Sequence, residues 1–199
     1  MNQCTQIDLI RHGELKTPAL FCAKPDEPLS EKGLQNLLDA TDKGEWDIII
    51  SSPQERCQSF AKILAKQKQC ELFIDPAFKE MDFGEWAGVT TKTLWENDST
   101  RLKQLWNSPE TFVAPSGESM ISFVQRVKQG WQELLKNHEN CNILLITHAG
   151  VIRSILADTL NISHQSALSF NIEYAHISQL HYYPDGIYSL RSHGITRCT

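Results

Sequence analysis

Short apolar runs alternate with longer amphipathic stretches along most of the chain. Thr5 to Ile10, Trp46 to Ser51, Glu71 to Ile74 and Asn142 to Thr147 are brief, mostly apolar and bounded by turn residues. That is the pattern of strands in a parallel sheet covered on both faces. Between them the period lengthens to that of a helix. Ser30 is placed to cap a helix running to about Lys43, with Leu34, Leu37 and Leu38 on one side. Ser52, Pro53 and Glu55 have the form of a capping box with proline at the first helical position, and Phe60, Ile63 and Leu64 follow as a buried face. Ser116-Gly117-Glu118-Ser119 opens a long helix to about Asn137, striped by Phe123, Val127, Trp131 and Leu134. After Thr147 another helix carries Ile152, Ile155, Leu156 and Leu160.

Three stretches break this alternation. Glu14 to Glu27 is an irregular loop marked by Pro18, Pro25 and, just beyond it, Pro28. From Lys79 to about Gly117 the chain is aromatic and weakly periodic (Phe83, Trp86, Trp95, Trp106, Phe112), which predicts a cap-like insertion of short helices. Near the C-terminus, His176 to Tyr183 and Ile187 to Ser192 flank Pro184-Asp185-Gly186, an antiparallel hairpin that completes or edges the sheet. The expected architecture is one α/β domain over residues 1–199: a three-layer α/β/α sandwich, mostly parallel, with an antiparallel hairpin at its C-terminal edge.

Bulk properties narrow the function. The chain has 199 residues, 41% of them hydrophobic and 22% charged, and a net charge of -5. Lysine and arginine are scattered, which argues against a nucleic-acid or membrane-surface partner and leaves room for a small anionic substrate met by a local arginine cluster. Cys4, Cys22, Cys57, Cys70, Cys141 and Cys198 form no C-x-x-C pair, and Met1-Asn2-Gln3-Cys4-Thr5 carries no signal-peptide pattern. No apolar run approaches the roughly 20 residues of a membrane helix. Free thiols in a cytoplasmic protein are the expectation.

The chemistry-bearing residues stand at strand ends. Arg11, His12 and Gly13 follow the first apolar run, Arg56 follows the second by a few residues, and His148 follows the fourth. In a parallel sheet these ends share one edge, where ligands of open α/β folds collect. Two arginines and two histidines gathered there suit a phosphoryl group, since arginine holds its oxygens bidentately and histidine is a nucleophile towards phosphorus. Taken singly, each residue has a plainer reading: a polar surface turn for Arg11-His12-Gly13, a solvated helix arginine for Arg56, a satisfied strand-end histidine for His148. A zinc site of His12, His148 and Glu80 competes, but two arginines in the same pocket oppose a dication. The chain has no G-x-x-x-x-G-K, no G-x-S-x-G, and no cysteine followed six residues later by arginine, which leaves histidine as the best nucleophile.

At this point the sequence resembles the histidine phosphatase superfamily, the phosphoglycerate mutase-like group. The resemblance rests on Leu9-Ile10-Arg11-His12-Gly13-Glu14, Pro28-Leu29-Ser30-Glu31-Lys32-Gly33, Ser51-Ser52-Pro53-Gln54-Glu55-Arg56, Glu80-Met81-Asp82-Phe83-Gly84-Glu85-Trp86, Gly117-Glu118-Ser119 and Thr147-His148-Ala149-Gly150, six segments in the family's order. It implies that His12 is phosphorylated, and that Glu80 is the proton donor to the leaving group. It implies further that Arg11, Arg56 and His148 hold the phosphoryl oxygens, with Gly13 and Ala149 beside them. Such a role asks Glu80 to carry the proton that goes to the leaving oxygen. The chemistry uses no metal and no cofactor.

The resemblance implies that a mutase must exclude water, usually with a larger cap and a longer C-terminal segment, so this short chain and modest insertion favour hydrolysis. Within the phosphatases the segment from Glu80 to Trp86, the run Asn142 to Val151 and the segment Leu168 to Glu173 are most similar to α-ribazole phosphatases. That implies α-ribazole 5'-phosphate as the small phosphorylated partner and a place in cobalamin nucleotide-loop assembly. A broad-specificity small-molecule or sugar-phosphate phosphatase, a phosphoglycerate mutase-like enzyme and a catalytically silent phosphate-binding scaffold are the alternatives. Phe83, Trp86, Trp95 and Trp106 either stack on the benzimidazole of such a substrate or form the insertion's own core. Leu15 and Pro18 stand where the family often has a hydroxyl residue and an asparagine, and Ala87 stands where it often has a glutamate. Oligomeric state is not legible in the sequence.

Overall fold

A computed structural model describes residues 4–17 and 19–195; Met1, Asn2, Gln3, Pro18 and Cys198 lie outside the described residues. Its strands are β1 (Thr5–Arg11), β2 (Ile48–Ser51), β3 (Glu71–Ile74), β4 (Asn142–Thr147), β5 (Ile177–Tyr182) and β6 (Tyr188–Ile195). Its α-helices are α1 (Glu31–Thr41), α2 (Glu55–Lys68), α3 (Thr91–Asn97), α4 (Ser99–Asn107), α5 (Met120–Asn137), α6 (Ala149–Thr159) and α7 (His164–Ala167). The strands form one sheet in the order β3-β2-β4-β1-β5-β6. β1 pairs in parallel with β4, as β2 does with β3 and β4, while β5 runs antiparallel to β1 and β6 to β5. The hairpin expected around Pro184-Asp185-Gly186 therefore edges the sheet beside β1.

Side-chain alternation on β4 divides the core into two layers. Ile143 and Leu145 face a cluster with Phe123, Val127, Trp131 and Leu134 of α5 and with Val151, Ile152, Ile155 and Leu156 of α6. Leu144 and Ile146 face a cluster with Leu37 of α1 and with Phe60, Ala61 and Leu64 of α2. The sheet is thus covered on both faces, as its apolar strands require. Each large side chain of the α5 stripe contributes roughly 1.5–3 kcal/mol on burial. Among the described residues no helix is long and apolar enough to cross a membrane.

Two details depart from the sequence pattern. α2 begins at Glu55, with Gln54 as an N-cap that makes no side-chain capping bond, so Ser52, Pro53 and Glu55 do not form a capping box. The reason lies outside the helix: Ser52 Oγ is bound to His148 Nε2 at 2.8 Å, and the Glu55 amide donates to Pro25 O at 3.2 Å. β2 is also shorter than the apolar run: Trp46 lies ahead of it, with its indole N–H on the buried Asp8 Oδ2 at 3.0 Å. The remaining caps follow the sequence: Ser30 Oγ accepts from Gly33 N and Ser119 Oγ from Ser122 N.

The turn after β1 is pressed against the start of α1. A Cβ at Gly13 would lie 2.2 Å from Gly33 O, a backbone atom that cannot swing away. Gly13→Ala is expected to destabilise the fold by about 1–3 kcal/mol through overpacking. Urea unfolding checks this, and an unchanged midpoint would show that the two backbones part without strain.

Candidate active site

The ladders run past the strands into the site. His12 N donates to Thr147 O at 2.9 Å and Ser52 N donates to Ile146 O at 3.0 Å. The residues just after β1, β2 and β4 are therefore held side by side at the carboxyl edge. As a result the His12 and His148 rings, far apart in sequence, sit 5.2 Å apart.

His12 is buried, and its Nδ1 lies 2.9 Å from Gly13 O. A carbonyl only accepts, so Nδ1 carries the hydrogen and the neutral ring keeps its lone pair on Nε2. Burial, then the charges of Arg56 and Arg11, hold the His12 pKa well below the usual 6.5. His148 is fully buried and is likewise held well below 6.5, by burial, Arg56, His12 and Arg11 in that order. Ser52 Oγ also accepts from Gln54 N at 3.3 Å, so its hydroxyl hydrogen is free to go to His148 Nε2.

Both arginines are fixed by neutral acceptors. Arg11 donates through Nη1 to Ile172 O at 2.7 Å, and its guanidinium lies 4.0 Å over the Tyr174 ring. Burial lowers its pKa. Arg56, 2% exposed, donates through Nη1 to Lys24 O at 2.9 Å and through Nη2 to Gln54 Oε1 at 2.8 Å. Among the described residues neither arginine forms a salt bridge, and the buried Nε of each has no hydrogen-bond partner. A buried and a half-buried cation without salt-bridge partners make a site that an anion would complete.

Glu80 reaches this site from the segment after β3. Its Oε2 accepts from Gly150 N at 3.2 Å, in the first turn of α6, and its Oε1 from Met81 N at 3.2 Å. A Cβ on Gly150 would lie 2.3 Å from Glu80 Oε1, so glycine makes room for the carboxylate. Arg126 of α5 steadies the Glu80 segment by donating to Ala77 O and Lys79 O while forking onto Glu118. Among the described residues no three His, Cys, Asp or Glu side chains gather as a metal-ligand set, so the zinc trio of His12, His148 and Glu80 is not assembled.

The walls of one cavity of about 380 Å³ include Arg11, His12, Arg56, Glu80 and Ala149. His148 lies behind His12, and Gly13 is spent on Gly33 rather than on the cavity wall. Leu15 lines the cavity and Ala87 does not. The expected aromatics divide. Phe83 and Trp106 line the cavity together with Phe21; Trp86 is buried among Phe21 and Phe112; Trp95 is half exposed on α3 and outside it. Sequence reasoning missed Tyr174, Ser52's bond to His148, Gln54 and Arg153. Of these only Arg153 left a signal: it lies three residues after Gly150, where a helix brings both to one side.

The free thiols Cys4, Cys22, Cys57, Cys70 and Cys141 are unbridged, and burial pushes Cys57 up to about 12. The histidines carry the pH response. Each takes up a proton on unfolding near the usual 6.5 but stays neutral when folded. The stability they allow is therefore complete above about pH 6.5 and is lost as pH falls, at up to about 1.4 kcal/mol per histidine per pH unit. Urea unfolding at pH 7 and pH 5.5 checks this, with a shallower slope expected for His148→Gln. Equal stability at the two pH values would show that the rings are charged in the folded chain.

The chain is 26% identical to a bifunctional protein of Mycobacterium tuberculosis over 94% of its own length but only 53% of that relative's, so it spans about half the length of the curated relatives of this kind. It is 26% identical to the adenosylcobalamin/alpha-ribazole phosphatase of Escherichia coli, over 83% of this chain and 84% of that one. The crystal structure of the alpha-ribazole phosphatase from Shigella flexneri superposes with a TM-score of 0.84 at 25% identity, covering 98% of both chains. Phosphoserine phosphatase 1 of Hydrogenobacter thermophilus is also 26% identical, over 87% of this chain and 84% of that one, so family likeness leaves the alcohol open. The model of the histidine phosphatase superfamily (branch 1) matches residues 7–195, which bears out the resemblance carried by the motifs: the chain belongs to that superfamily.

Proposed function

We propose that this chain hydrolyses phosphomonoesters through a phosphohistidine on His12. One observation carries the reading: a buried, neutral imidazole whose Nε2 lone pair is free, set beside two arginines that among the described residues form no salt bridge. His12 Nε2 attacks phosphorus as the ester P–O bond breaks, and the departing oxygen takes a proton from Glu80. Water then gives a proton to the Glu80 carboxylate while its oxygen attacks phosphorus. The N–P bond breaks, and its electron pair returns to Nε2. Arg11 and Arg56 hold the non-bridging oxygens as charge develops, and losing one such donor typically costs ~10²–10³ in turnover; His148, bound to Ser52, packs behind the His12 ring. In this reading the arginines supply the positive charge and no metal or cofactor takes part.

For the substrate we favour α-ribazole 5'-phosphate, hence a role in cobalamin assembly in the cytoplasm, where free thiols persist. The support is the apolar part of the cavity: Phe21, Phe83, Leu105, Trp106 and Phe123 lie beyond the arginines and suit a ring-bearing alcohol better than a short hydrophilic one. The segment from Lys79 to Gly117 acts in this reading as a roof over the pocket of a single domain.

Brief exposure to substrate followed by denaturation is expected to leave acid-labile phosphate on the wild-type chain and none on His12→Ala. Phosphate on His12→Ala would remove that residue as the nucleophile. In a panel of α-ribazole 5'-phosphate, phosphoserine, 3-phosphoglycerate and ribose 5-phosphate, the first is expected to have a kcat/KM at least about tenfold above the rest, the effect of one good apolar subsite. A panel led by phosphoserine or 3-phosphoglycerate would overturn the substrate reading and leave the chemistry standing.

A further inference from the structure

One cation in the cavity has no part in the steps above. Arg153 projects from α6, one turn beyond Gly150, and lines the same cavity. Its Nε and Nη2 both donate to Phe170 O, at 3.2 and 3.1 Å, which fixes the plane of the guanidinium and leaves Nη1 uncommitted. Among the described residues it forms no salt bridge. Burial lowers its pKa, and the one charge that favours its cationic form is Glu80. A half-buried arginine in a largely apolar wall is costly unless an acceptor meets it. Arg11 and Arg56 both act on His12 and are fixed by backbone and Gln54 acceptors. Arg153 stands one turn after Gly150, whose amide holds Glu80, and in the proposed chemistry Glu80 marks the side of the leaving oxygen.

We infer that Arg153 is a specificity-determining residue that binds an oxygen of the alcohol, a hydroxyl or carboxylate on a carbon near the ester. The inference rests on the phosphoryl site proposed above. The guanidinium, held flat by Phe170 O, presents Nη1 at a set place, so it selects alcohols with an oxygen there and disfavours those without one. A two-part alcohol fits the whole cavity: an oxygen-bearing segment next to the phosphate and an apolar ring among Phe21, Leu105 and Trp106.

Binding separates this inference from the turnover reading. Calorimetry on the full His12→Ala chain, with and without Arg153→Met, compares ribose 5-phosphate, 3-phosphoglycerate and phenyl phosphate, the last lacking any oxygen beyond the ester. Arg153→Met is expected to lower the affinity of one oxygen-bearing ester relative to phenyl phosphate by about tenfold to a hundredfold, the usual worth of a hydrogen bond to a charged group. Which ester loses more tells hydroxyl from carboxylate. Equal losses for all three would make Arg153 a phosphate ligand, and no loss for any would make it only a prop for Phe170; either overturns the inference. The same ratios measured as kcat/KM with Arg153→Met in the otherwise unaltered chain give a second reading should His12→Ala fold poorly, and Arg153→Lys should recover part of the ratio. Binding ratios that shift as expected, with no phosphohistidine on the wild-type chain, would sink the hydrolysis reading and keep this one.

Discussion

The site depends on the parallel pairing of β1 with β4. Their register sets Arg11 opposite Thr147, and the next bond along, from His12 N to Thr147 O, carries the alignment one residue beyond the strand. Slipping a strand by one residue turns every side chain to the other face, so a register fixed by two covered faces also fixes which way His12 and His148 point. β2, paired with β4 on its other side, brings Ser52 onto His148 and places Arg56 within reach. The geometry of this edge is in this sense a by-product of core packing: Leu144, Leu145 and Ile146 hold the register that aligns the imidazoles.

What that edge contains is electrostatically unusual. Arg56 is buried and Arg11 half-buried beside two histidines, with no salt bridge among the described residues, held instead by the carbonyls of Ile172 and Lys24 and by Gln54. Neutral acceptors orient a guanidinium without cancelling its charge, which is what recognition of an incoming anion requires. The same charges, together with burial, keep both imidazoles unprotonated. The arginines, His12 and Glu80 are each held by a backbone contact and His148 by the Ser52 hydroxyl, which orders the site in advance. Gly150 illustrates the economy: one position at the start of α6 supplies the amide that holds Glu80 and the space that admits its carboxylate.

The cavity joins this charged floor to an apolar chamber built from distant parts of the chain, with Phe21 from the loop after β1, Phe83 and Trp106 from the segment between β3 and α5, and Leu168 from the stretch before β5. The walls of the chamber are loops and short helices, the parts of a fold most free to vary.

Much was determined by the sequence alone. Apolar runs and amphipathic spacing predicted the strands and long helices, and charged residues at the strand ends predicted where the chemistry gathers, because periodicity records which face of an element is buried. Tertiary structure decided the rest. Ser52 has the local signature of a helix cap, yet its hydroxyl goes to His148, 96 residues away. Glu80 stands in a segment with no period and is placed by an amide 70 residues further on. Tyr174 meets Arg11 only because β5 returns antiparallel beside β1. Trp86, Trp95 and Trp106 look alike in sequence, and packing alone sends one to the core, one to solvent and one to the cavity. Local pattern fixes what each element buries; which side chains meet across elements is set by how those buried faces pack together.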